Sequence, residues 1–66
     1  MLLRITVERK RRGWRQQDLA FHADVPMAEV SRIESGRMKP YPKHAKQLAK
    51  VLKLRPEQLT EEVRET

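Results

Sequence analysis

The sequence predicts an all-α fold, a compact bundle of five short helices, and three observations carry that prediction. Leu, Ala, Arg, Lys, Glu and Gln, which favour helix, dominate the chain, and no segment sustains an apolar–polar alternation or a run of β-branched residues. Gly13, Pro26, Gly36, Pro40, Pro42 and Pro56 punctuate it into five short segments. Within the segments, apolar residues recur at helical spacing.

The first segment predicts a helix over 2–12, with Leu2, Ile5 and Arg9 on one face and Leu3 and Val7 beside it. Gly13 supplies a C-cap, and Arg9 to Arg12 put positive charge where the helix dipole is negative. The second helix, 16–23, has Leu19, Ala20 and Ala23 at helical spacing. The third, 26–35, opens on a proline whose missing N–H costs nothing in the first turn. Val30, Ile33 and Glu34 share its inner side, and Gly36 closes it.

The fourth helix, 42–53, buries Ala45, Leu48, Ala49 and Leu52 and carries a second stripe of Lys43, Lys46, Lys50 and Lys53. The fifth, 56–64, has Leu59 and Val63 one turn apart on an otherwise acidic surface. The predicted core is Ile5, Trp14, Leu19, Ala20, Val25, Val30, Ile33, Leu48, Leu52, Leu54 and Leu59.

Sixty-six residues suffice for one domain, so a single unit over 1–66 is expected. The chain has no cysteine, hence no disulfide and no thiolate metal site. It has no apolar run long enough for a membrane span and no signal-like apolar stretch at residue 1, so a cytoplasmic protein is expected. The net charge is +6, unevenly spread. Fourteen of the 15 Lys and Arg fall in residues 1–55, whereas Glu57, Glu61, Glu62 and Glu65 follow with Arg64 alone. A basic body of this kind suits a polyanion.

The informative stretch runs Gln16-Gln17-Asp18-Leu19-Ala20, then Asp24-Val25, Val30 and Ile33-Glu34-Ser35-Gly36. Two helices joined by a turn this short cross steeply when a small residue, here Ala20, sits at the contact. Asp24 falls at the turn, where a left-handed conformation is needed and Asp tolerates it. Val25, Val30 and Ile33 anchor the second helix from beneath and leave its opposite face free.

In Gln16, Leu19-Ala20, Val25, Val30 and Ile33-Glu34-Ser35-Gly36, with Pro40, Leu48-Ala49-Val51-Leu52 and Leu59, the chain resembles the phage repressor and Cro-type helix-turn-helix family (XRE-like transcriptional regulators) from about Arg4 to Leu59. The resemblance implies a lambda-repressor-like DNA-binding domain whose helix at about 27–35 enters the major groove. Met27, Ala28, Ser31 and Arg32 would then face base edges, with Arg32 suited to guanine and Met27 and Ala28 to thymine methyls. Gln16, Gln17, Arg37, Lys39 and Lys43 would contact phosphates. The same resemblance pairs Arg9 with Glu34 as an internal ion pair, and both do fall on core-facing sides of their helices.

The chain departs from the family pattern at the helix starts, where Arg15, Val25/Pro26, Tyr41 and Arg55 replace Ser or Thr. Lys53 and Asp24 stand where glycine is usual. Lys10, Arg11 and Arg12 are read either as a solvated helix end or as phosphate contacts, and Glu29 either as disfavouring phosphate or as accepting from cytosine. Trp14 is assigned to the core rather than to base stacking, and the lysine stripe to solvent rather than to a membrane surface.

His22 and His44 have no partners at metal-ligand spacing, and no nucleophile–base pair or phosphate-cradling loop occurs. No metal, cofactor, small-molecule ligand or enzymatic activity is therefore expected. The expected function is sequence-specific binding of double-stranded DNA as a transcriptional regulator. A homodimer on a palindromic operator is expected, formed either in solution or on DNA alone, with Leu59 and Val63 of helix five as its interface. The alternative is a protein–protein interaction module, an antitoxin or regulatory subunit built on the same fold.

Overall fold

The structure, a computed structural model, describes residues 2–64. In chain order these form strand β1 (Leu2–Leu3), helices α1 (Arg4–Arg11), α2 (Gln16–Ala23), α3 (Met27–Glu34) and α4 (Pro42–Leu52), a 3-10 turn at Pro56–Gln58, and strand β2 (Glu62–Val63). The described residues thus hold four α-helices rather than the five expected from the sequence.

The four helices stop in the same way. Gly13, Asp24, Gly36 and Lys53 each follow a helix with positive φ, at 73°, 57°, 78° and 58°. The N–H of the next residue then reaches back five positions: Trp14 to Arg9, Val25 to Ala20, Arg37 to Arg32 and Leu54 to Ala49, at 2.8–3.2 Å. This satisfies carbonyls that a helix end leaves open. Glycine adopts the left-handed conformation freely and Asp24 tolerates it, whereas Lys53 holds it against its own Cβ.

The starts use substitutes for the absent Ser and Thr. The Asp18 carboxylate accepts the N–H of Arg15 at 2.7 Å, and Gln58 Oε1 accepts that of Arg55 at 2.8 Å. These contacts supply the half of a capping box that reaches back from the third helical position.

Helix α1 is capped by the far end of the chain. The N–H groups of Arg4 and Ile5 donate to the carbonyls of Glu61 and Leu59 at 2.8 and 3.0 Å, and the Arg4 guanidinium meets the Glu61 carboxylate at 2.8 Å. That arrangement corrects the expected helices at both ends. Residues 56–64 do not continue as a helix, because the carbonyls of Leu59 and Glu61 are turned outward to α1. Leu2 and Leu3 do not begin the first helix; they pair antiparallel with Val63 and Glu62. Of the expected acidic residues, Glu65 lies outside the described ones.

The core is formed by Ile5, Leu19, Ala20, Ala23, Val25, Val30, Ile33, Ala45, Leu48, Ala49, Leu52 and Leu59. Trp14 and Leu54, expected inside it, pack half-buried at its rim. Ala23, Ala45 and Ala49 complete it because small residues let α2, α3 and α4 approach closely. Among the described residues, no helix is long and apolar enough to cross a membrane.

Candidate nucleic-acid interface

Helices α2 and α3 are separated by Asp24, Val25 and Pro26 alone. Ala20 is buried at their contact, and Val25, tied to Ala20 by its N–H, drops its side chain into the core. Pro26 stands just outside α3, and its carbonyl accepts the N–H groups of Glu29 and Val30 at 3.1 and 3.2 Å. The turn is also held from α4, where Gln47 Nε2 donates to the carbonyls of Ala23 at 2.7 Å and Asp24 at 3.1 Å.

At about 100° per residue, the eight positions of α3 divide cleanly between two faces. Glu29, Val30 and Ile33 are buried and Glu34 nearly so, while Met27, Ala28, Ser31 and Arg32 are all exposed. Glu34 is bound on its inner side by Arg9 in a two-pronged ion pair, Nε to Oε2 at 2.7 Å and Nη2 to Oε1 at 2.9 Å. Both side chains are nearly buried, at 11% and 6% exposure, where pairing offsets the large cost of burying either charge alone. The remaining prong of Arg9 donates to the Trp14 carbonyl at 2.7 Å, so one guanidinium joins α1, the following turn and α3.

Gln16 has a share in this pair, its Nε2 donating to Glu34 Oε1 at 3.3 Å. The contact sets the N-terminus of α2 beside the last turn of α3. Gln17, Arg37, Lys39 and Lys43 are exposed. Arg37 and Lys39 lie on the segment joining α3 to α4, and Lys43 lies in the first turn of α4. Among the described residues neither Arg32, Arg37, Lys39 nor Lys43 has a salt-bridge partner.

Three expected contributors lie elsewhere. Glu29 is buried, at 7% exposure, and its Oε2 meets His44 Nδ1 at 2.6 Å, so it neither faces phosphate nor is free to accept from a base. Leu59 is fully buried in the chain's own core and Val63 sits half-buried in β2, so the apolar dimer strip expected on a fifth helix does not exist. Of the basic run ending α1, Arg12 turns inward to the carbonyls of Glu8 and Leu52, at 2.9 and 3.1 Å, while Lys10 and Arg11 are exposed.

Three residues of this region were not legible as a set. Gln16, His44 and Gln47 owe their roles to where neighbouring helices arrive, and each is a polar residue at a half-buried helix position. That position is the signal, and it does not name the partner. Trp14 stacks on the exposed His22, ring centroids 4.4 Å apart, and Phe21 beside them stands open. Among the described residues no group of three or more His, Cys, Asp or Glu is placed to hold a metal ion.

Two short helices crossing at a small residue, the second bare along one face and bordered by free cations, define a helix-turn-helix protein. The chain belongs to the helix-turn-helix family of the phage repressor and Cro type, whose model matches residues 7–59. It is a family of DNA-binding transcription regulators. No curated protein and no solved structure gives a significant match to the chain.

Proposed function

We propose that this chain binds double-stranded DNA sequence-specifically and regulates transcription, with α3 lying in the major groove. The observation that carries the reading is the division of α3, whose inner face is locked by Val30, Ile33 and Glu34 while Met27, Ala28, Ser31 and Arg32 stand clear. Arg32 is the residue assigned to base reading by hydrogen bonds, since its guanidinium matches the two acceptors of guanine. Met27 and Ala28 serve thymine methyls. Gln17, Arg37, Lys39 and Lys43 serve phosphates, as does the second N–H of Gln16 Nε2, the first being given to Glu34.

So few base-facing side chains on one copy give limited discrimination, so two copies on a palindromic site are part of the proposal. Selection of bound duplexes from a random pool tests it. The reading predicts a recurring short site in two inverted halves about one helical turn apart. Recovery of no preferred sequence would contradict it.

A second reading, a protein-interaction module, has one observation in its favour: Phe21 stands 81% exposed on α2. That reading predicts that Phe21→Ser leaves DNA selection unaltered and abolishes association with a protein partner.

A further inference from the structure

We infer that His44 and Gln47 are positioning residues for base reading: from α4 they fix the end of α3 that carries Met27 and Ala28. The inference rests on the DNA-reading proposal and adds to it the cause of α3's orientation.

The reading helix is pinned at two places by polar contacts. Its C-terminal end is held from α1 through Arg9 and Glu34. Its N-terminal end is held from α4, where His44 Nδ1 meets Glu29 Oε2 at 2.6 Å and Gln47 ties the carbonyls of Ala23 and Asp24, just before α3. His44 and Gln47 lie three apart on α4 and so on one side of it, so a single helix grips the turn and the first turn of α3 together. A carboxylate only accepts, so Nδ1 meets it as an N–H donor.

Neither side chain is needed to fill the apolar core, since both are half-buried while Ala45, Leu48, Ala49 and Leu52 close it. Glu29 is flanked in sequence by Ala28 on the exposed face and by fully buried Val30. It therefore couples the inner clasp to the outer surface within one turn. Removing the clasp leaves α3 held by Val30, Ile33 and Glu34 but loosens the turn ahead of it, so the end that faces the base edges can shift. Hydrogen bonds to phosphate from Gln17, Arg37, Lys39 and Lys43 do not pass through this clasp, so they survive.

The experiment compares the wild-type chain with His44→Ala, His44→Asn, Gln47→Ala and the solvent-facing control Lys46→Ala. Each is measured on the pool-selected duplex and on an unrelated duplex of equal length, with backbone amide exchange read in parallel. His44→Ala is expected to lower the ratio of the two affinities by about tenfold, the equivalent of about 1.4 kcal/mol. Binding to the unrelated duplex and its salt dependence stay unchanged, and amide exchange quickens from Asp24 to Val30. His44→Asn, which keeps a donor near Nδ1, restores both, Gln47→Ala behaves as His44→Ala, and Lys46→Ala changes neither.

An unchanged ratio with unchanged exchange, or an equal loss on both duplexes with exchange quickened throughout the chain, overturns the inference. If the wild-type chain does not discriminate between duplexes, the DNA-reading proposal fails first. The amide data then still decide the positioning: faster exchange confined to 24–30 supports it, and uniform acceleration refutes it.

Discussion

On its inner side α3 is bound by fully buried Val30 and Ile33, by the Arg9–Glu34 pair and by the Glu29–His44 contact. On its outer side, one half-turn away, Met27 is 51% exposed and Arg32 has no salt-bridge partner among the described residues. The contrast lies within eight residues. It teaches that a helix of this length is oriented by what it buries, not by its own propensity, because so short a helix is unstable in isolation. An outer face contributing little to stability is free to vary in what it contacts, and it can do so only because the inner face is over-determined.

The contrast can be broken most severely at Glu34. Glu34→Ala leaves the Arg9 guanidinium nearly buried without its carboxylate, and a loss of about 3–5 kcal/mol is expected in urea unfolding followed by Trp14 fluorescence. So large a loss is comparable to the whole stability that a core of this size supplies. Next comes Leu59→Ala, expected to cost about 2–5 kcal/mol as a cavity in the core. That loss should not depend on protein concentration. A concentration-dependent effect would return Leu59 to an interface between copies.

Lys53→Gly acts in the other direction. It relieves the left-handed φ of 58° and should raise stability by about 1 kcal/mol, read from the shift of the urea midpoint. Smallest of all is Arg32→Ala, whose effect on stability should stay within about 0.5 kcal/mol. A larger value would mean that the outer face also takes part in holding the fold.

The same division explains what could be read from the sequence. Helices α2, α3 and α4 were legible to within a residue or so because their limits are local: Gly36 and Asp24 at the stops, Pro26 and Pro42 at the starts. The chain after Pro56 was not, although Leu59 and Val63 have helical spacing. Its conformation is set by α1, fifty and more residues away in sequence, which takes the carbonyls of Leu59 and Glu61. A helix at 56–64 would have left the first N–H groups of α1 without those partners.

The candidate site divides similarly. That α3 keeps a free outer face followed from periodicity, since Val30, Ile33 and Glu34 share its inner side, and Met27, Ala28, Ser31 and Arg32 followed from the family resemblance. Glu29 did not, because an acidic residue in a first turn suits the helix dipole whether it faces solvent or a neighbour. The arrival of His44 from α4 decides it, and that depends on a crossing angle that no local pattern encodes.

The central claim is that the outer face of α3 reads bases, and Arg32→Ala set beside Lys39→Ala on a pool-selected and an unrelated duplex tests it most directly. The account predicts that Arg32→Ala weakens binding to the selected duplex by about 1–3 kcal/mol and relaxes preference at one position. Lys39→Ala should weaken both duplexes alike and lower the salt slope by about one. Equal losses on both duplexes from Arg32→Ala, with no change in preference, would contradict it.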